Sequence, residues 1–181
     1  DEIFKNAFEW RFEFPEVLDV DGKYVGFDVV IGNPPYINFR DIKNQSEKKY
    51  YIDNYTVSEY QSDLFILFIE MALQNIKKDG KFAFIIPNTI TNNLNNSLVR
   101  KQILNTTKIH SIVNTPIGVF PDATVDTVVI VATKSTTEKS IITVLETNNQ
   151  SLYLVNEVKQ SEFENNENYY FDFLTSEEQR L

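Results

Sequence analysis

The chain has 181 residues, 42% hydrophobic and 13% aromatic, which suits one globular domain with its own core rather than a disordered tail. No apolar run approaches the roughly 20 residues that span a bilayer, and the absence of cysteine excludes disulfides, thiolate metal sites and cysteine nucleophiles. A single histidine, His110, leaves no histidine-based metal cluster or triad, and a net charge of −9 counts against an autonomous phosphate-gripping surface.

The stretch Ile3 to Leu18 mixes aromatics with acids. Phe4 and Phe8 can share a helical face, whereas Trp10, Phe12 and Phe14 alternate as in a strand ending at Pro15, so a helix followed by an extended segment is expected. Asp19 to Gly26 reads as a polar turn, tightest at Asp21-Gly22. Phe27 to Ile31 (FDVVI) is a short apolar, β-branched run, expected as a strand covered on both faces. Gly32 and then Asn33-Pro34-Pro35-Tyr36 follow. The two prolines mark where regular structure stops.

Asp41 to Tyr60 is polar and rich in lysine and tyrosine, expected as a flexible connection with some helix. Ser62 is placed to cap a helix from Asp63 to about Lys78, with Leu64, Phe65, Phe68, Ile69, Ala72, Leu73 and Ile76 on its apolar face and Asp79-Gly80 as its stop. Lys81 to Ile86 reads as a second buried strand ending at Pro87-Asn88. A helix is expected around Leu98 to Leu104, then strands at Ile109 to Val113, Val125 to Ala132 and Ile141 to Leu145. After Gln150 the pattern decays into Asn- and Glu-rich sequence, expected as a linker or the start of another module.

Strands alternating with helices predict an α/β sheet with parallel pairs. Ligands sit at the carboxyl ends of strands in such sheets. The loops at Asn33 to Tyr36, Pro87 to Thr91 and Pro116 to Ala123 are the candidates.

The tetrapeptide Asn33-Pro34-Pro35-Tyr36 has a definite chemistry. Its prolines stiffen the backbone and remove two N–H donors, leaving carbonyls free to accept; the Asn33 amide oxygen accepts as well, and Tyr36 offers a flat face. An amine conjugated to a ring is a poor nucleophile. Two acceptors, the Asn33 side chain and the Pro34 carbonyl, can bind its hydrogens and free its lone pair for direct displacement, by positioning and electrostatics alone. The plainer reading is that Pro-Pro-Tyr ends a strand or forms a polyproline ligand; the buried strand before it and the periodic helix and strand after it favour the chemical one.

Phe27 to Ile37 (FDVVIGNPPYI) resembles the catalytic motif of gamma-class amino-group DNA methyltransferases. Asp63 to Glu70 (DLFILFIE) is similar to their next helix, Gly80 to Asn88 (GKFAFIIPN) to the following strand and turn, and Ile117 to Val131 to the segment whose phenylalanine packs on a flipped base. Phe8 to Leu18 (FEWRFEFPEVL) is similar to the lead-in of type IIG restriction-modification enzymes. The resemblance implies the C-terminal half of a Rossmann-like S-adenosylmethionine-dependent methyltransferase sheet, acting on the N6 amine of adenine in double-stranded DNA in the cytoplasm. It implies that Asn33 and Pro34 bind the amine, that Tyr36 and Phe120 stack on the two faces of the extruded base, and that Pro35 and Phe68 line the methyl-donor pocket. Phe68 also fits a plain core position, and Phe120, near Gly118 and Pro121, a loop anchor. Cytosine's amine suits the same acceptors.

The chain departs from the family upstream of the motif. Only Gly22 and Gly26 precede Gly32, in an aspartate-rich turn, so the glycine-rich turn that would hold S-adenosylmethionine is missing from this sequence and does not follow Gln150. The start, Asp-Glu-Ile-Phe, has neither an initiator methionine nor a leader and reads as internal to a longer polypeptide. The expected organisation is a lead-in over 1–26, a catalytic half over 27–148, and a linker or following target-recognition module over 149–181; the isolated segment is expected to be inactive. The alternatives are a methyltransferase acting on a protein glutamine or on RNA, and a non-catalytic methyltransferase-like scaffold.

Overall fold

The computed structural model describes residues 8–57, 63–116, 125–135, 140–147 and 151–173. Six strands form one mixed sheet: β1 (Phe27–Gly32), β2 (Ile76–Pro87), β3 (Thr107–Thr115), β4 (Thr127–Lys134), β5 (Ile141–Thr147) and β6 (Leu152–Lys159), in the order β1-β2-β4-β3-β5-β6. The pairs β1–β2 and β3–β5 are parallel, as expected. Strand β4 lies antiparallel between β2 and β3, and β6 is antiparallel to β5. Strands β1, β2, β3 and β5 therefore share one direction, and their carboxyl ends share one edge of the sheet.

Period-two alternation sorts the strand side chains. Phe82, Ile86, Ile109, Ile112, Ile130 and Val144 face one side and are buried in a single cluster. That cluster also holds the apolar faces of α3 (Leu64–Asn75) and α4 (Ser97–Thr106) and, from α5 (Gln160–Asn165), Phe163. The helices that pack on the sheet thus share its first face.

The lead-in differs from expectation. Trp10–Glu13 form the single-turn helix α1, followed by a 3₁₀ turn at Pro15–Val17, because Trp10 and Phe14 close over Phe27 in an aromatic cluster that also contains Phe8. The turn at Asp19 is as expected: its carboxylate accepts from the Asp21 and Lys23 amides, and Gly22 supplies a φ of 75°. In the polar connection, Asn44 caps α2 (Gln45–Asn54) by accepting from Ser46 and Glu47.

Helix α3 stops three residues earlier than expected, and Ser62, its expected cap, lies outside the described residues. The early stop has a tertiary cause. Lys134 reaches across from β4 and donates to the carbonyls of Leu73 (2.7 Å) and Ile76 (2.8 Å), so a cation closes the helix C-terminus. Ile76 then joins the sheet opposite Phe27, and Asp79 takes the left-handed turn at φ 63° inside the first half of β2.

Two further differences concern the sheet's margins. Strand β1, expected to be covered on both faces, is an edge strand with β2 as its one neighbour among the described residues; Val29 is 53% and Ile31 72% exposed. Beyond Gln150, where a linker or new module was expected, β6 extends the sheet and Phe163 and Phe171 enter the main core. No helix among the described residues is long and apolar enough to cross a membrane.

Candidate active site

The Asn33–Tyr36 loop leaves the carboxyl end of β1 and is held from both sides. Before it, β1 pairs with β2 as far as Gly32 opposite Phe84. One residue further along β2, the Ile85 carbonyl accepts from the Tyr36 hydroxyl at 3.1 Å, so the tyrosine takes over where the strand pairing ends. After it, the Ile37 carbonyl accepts from the Leu64 amide (2.8 Å) at the start of α3, and the Asn38 side chain donates to the Asp63 carboxylate (2.9 Å). Asp63 is the N-cap residue of α3 but makes no capping bond. Its carboxylate is spent on Asn38, a role that its sequence position alone does not reveal.

Within the loop, Pro34 is buried, Pro35 half-buried, and Asn33 and Tyr36 exposed. The prolines anchor the loop while the acceptor side chain and the ring stand at the open edge. The Asn33 amide has no hydrogen bond to any described residue. Burial raises the Tyr36 phenol above its ordinary value of 10.0, so it remains a neutral donor through the physiological range.

The other expected residues are dispersed. Phe68 is half-buried on α3 and packs against the main core, where it fits the plain core reading as well as a pocket wall. Phe120 lies outside the described residues. The loop after β2 is a 3₁₀ turn, Asn88–Ile90, at the same sheet edge. A hollow of about 310 Å³ opens there, its wall shared between polar residues such as Asn88, Asn114, Asp126 and Glu146 and the apolar Pro116 and Phe173.

Three buried polar side chains, of which Arg100 braces the loop after β2, were not singled out in the sequence. Glu70, on α3, accepts from the Thr56 amide (3.1 Å) and hydroxyl (2.8 Å) and the Val57 amide (3.0 Å). Arg100, on α4, is fully buried and donates to the carbonyls of Ile90 (3.0 Å), Asn93 (2.8 Å) and Asn168 (2.8 Å), with the Tyr170 ring 4.9 Å from its guanidinium carbon. Burial pushes that guanidinium down to about 10, still well above neutrality. Gln160 ties the start of α5 to the Leu104 and Thr107 carbonyls and the Ile109 amide. A charge inside an apolar helical stripe was the available signal for Glu70 and Arg100. Their backbone partners leave no trace in sequence.

The mixed sheet, its one-sided helical layer and the open loop at the strand carboxyl ends define a Rossmann-like α/β fold. The chain belongs to the Eco57I restriction-modification methylase family, whose profile matches residues 1–120. Among curated relatives, RM.MjaORFECS2P of Methanocaldococcus jannaschii, named as a type II restriction enzyme and methyltransferase, is 31% identical over 127 residues, covering 70% of this chain and 10% of that protein. Type II methyltransferase M.BstVI of Geobacillus stearothermophilus is 32% identical over 90 residues, 50% of this chain and 16% of that protein. The solved type IIG restriction endonuclease BpuSI superposes with a TM-score of 0.58 at 21% identity, covering 76% of this chain and 20% of that one. The chain spans a small fraction of the length of each of these proteins.

Proposed function

We propose that this chain is the catalytic half of a site-specific DNA methyltransferase of a restriction-modification system, which transfers a methyl group to the N6 amine of an adenine extruded from the duplex. The observation that carries the reading is the exposed Asn33 amide beside Tyr36, on a proline-stiffened loop fastened to β2 on one side and to α3 on the other. Family membership and type II methyltransferase relatives support the DNA substrate.

In this reading Asn33 Oδ1 and the Pro34 carbonyl accept the two amine hydrogens, turning the nitrogen lone pair out of conjugation. Tyr36 supports one face of the adenine and Phe120 the other. S-adenosylmethionine, when bound, supplies the electrophilic methyl. The chain's own part is to hold the amine by its hydrogens so that its lone pair would face that methyl, and the proton the amine sheds would pass to solvent. Loop and acceptors contribute fixed position and fixed dipoles.

The residues fit that donor in part. Pro35 and Phe68 offer apolar wall, but Gly22 and Gly26 serve turns: a side chain at Gly26, where φ is 93°, would collide with the Asn75 backbone. The donor's main grip is assigned to polypeptide outside this sequence.

The test is Asn33→Ala in the full-length enzyme. Methyl transfer should fall by about 10²-fold or more while the melting temperature is retained. Mass spectrometry of digested DNA should find N6-methyladenine in the wild-type product. Wild-type turnover in the variant would refute the role of Asn33, and N4-methylcytosine in the product would move the reading to cytosine.

A further inference from the structure

The segment just after the Asn33–Tyr36 loop is basic, although the chain carries a net charge of −9. Residues 38–49 hold Arg40, Lys43, Lys48 and Lys49 against two acids, Asp41 and Glu47. Packing fixes this segment and turns its charges outward. Phe39 and Ile42 are buried, and the Phe39 ring stacks on Tyr51 of α2 with centroids 5.8 Å apart and planes 11° apart. Arg40, Lys43 and Lys49 are exposed. Lys48 donates to the Arg40 carbonyl at 3.3 Å, which holds the start of α2 against the 3₁₀ turn Phe39–Asp41.

Asn38 carries that placement to the candidate site. Its side chain accepts from the Arg40 amide (3.0 Å) and donates to the Asp63 carboxylate (2.9 Å), so the basic segment and the Asn33–Tyr36 loop are fastened to the same start of α3. Among the described residues, neither the Arg40 nor the Lys43 side chain makes an ion pair or a hydrogen bond. Lys49 pairs with Asp53 at 3.2 Å, but both side chains are exposed, and a pair of this kind is weak enough to exchange for a stronger anion. A hollow of about 310 Å³ lined by Phe39, Gln45, Lys48, Lys49, Ile52 and Asp53 lies between the turn and α2, so the cations rim a recess. Uncommitted cations, fixed beside a loop proposed to hold an extruded base, face the polyanion that such a base brings with it.

We propose that Arg40, Lys43 and Lys49 form a phosphate-binding ledge that holds the DNA backbone beside the extruded base, with Lys48 fixing the ledge in place. Extrusion turns a nucleotide about its own backbone, so the phosphates on either side have to be held while the base rotates. Contacts to phosphate set position and carry no sequence information, which suits cations so close to the chemistry. A ledge of three cations adds a few contacts only, in keeping with a chain too acidic to grip a duplex unaided. The inference rests on the DNA methyltransferase reading.

The test measures duplex binding by the full-length enzyme across a range of salt concentrations, using fluorescence anisotropy. Arg40→Gln and Lys43→Gln should each flatten the slope of log affinity against log salt by about 1 and weaken target and unrelated duplexes by the same factor. Arg40→Lys keeps the charge and should keep the wild-type slope. So should Lys23→Gln, which changes an exposed lysine in the turn at the opposite end of β1. Neutral methylphosphonates placed singly next to the target base should weaken the wild type and spare the Arg40→Gln/Lys43→Gln double variant at the linkage the cations hold. Unchanged slopes in both Gln variants overturn the ledge, and N6-methyladenine in the wild-type product would then leave the functional reading intact. A loss confined to the target sequence overturns the ledge as well, because it marks a base contact; so does indifference of the wild type to every flanking methylphosphonate. Flattened slopes in an enzyme whose product is N4-methylcytosine leave the ledge standing and change the functional reading instead.

Discussion

Tyr36 separates two roles on one side chain. Its hydroxyl fixes the ring to the Ile85 carbonyl, and its ring is the proposed platform for the base. In the full-length enzyme, Tyr36→Phe should cost about 1 kcal/mol or less, since it removes one part-exposed hydrogen bond, whereas Tyr36→Ala should cost a further ~1–3 kcal/mol of base binding through lost stacking. Fluorescence titration with DNA carrying 2-aminopurine at the target position measures both; equal losses would show that the hydroxyl alone matters. His110 gives a pH-dependent counterpart. Burial, then Lys81 and Lys108, lower its folded value below the ordinary 6.5, so the unfolded chain binds the proton more readily. The resulting destabilisation is absent well above 6.5 and grows as pH falls below it. Thermal melts of His110→Gln should therefore lose less stability on acidification than wild type, and parallel curves would contradict the shift. Asn33 to Tyr36 were legible because two adjacent prolines after an apolar run leave few backbone options. Glu70 and Arg100 were not, because each is satisfied mainly by backbone groups of loops whose course only the fold sets.

Arg100 acts at the level of elements. Its guanidinium joins α4 to the loop after β2 and to Asn168 in the 3₁₀ turn Glu167–Tyr169, where Asn168 and Tyr169 both have positive φ. Arg100→Ala leaves three carbonyls without their donor and should cost on the order of 3 kcal/mol, read by chemical denaturation. Arg100→Lys should recover little of this, because one ammonium cannot reproduce a planar fork. An unchanged unfolding midpoint in Arg100→Ala would mean that water replaces the fork. Strand and helix identities from Phe27 to Leu145 followed from period and breakers. The end of α3 did not, since Lys134 closes it from 58 residues beyond Ile76. Nor did β6: its exposed Leu152, Tyr153 and Leu154 carry no clean alternation, and its place depends on pairing with β5.

At the scale of the whole molecule, the carboxyl ends of β1, β2, β3 and β5 gather at one edge of the sheet, where the Asn33–Tyr36 loop stands. Isothermal titration of S-adenosylmethionine into the 181-residue chain should show no micromolar binding; a micromolar isotherm would place the donor grip within these residues after all. Parallel pairing was readable from the alternation of strands and helices, but β4 between β2 and β3 was not, because an antiparallel insertion looks the same in sequence as a parallel neighbour. The loop fastened through Tyr36 and Asn38 has a kinetic corollary. Its ordering entropy is settled when the protein folds and not again at each encounter with DNA. On the proposed reading, the slow variable in substrate capture then belongs to the duplex: how often the target base leaves its stack, and not how long the protein needs to shape a place for it.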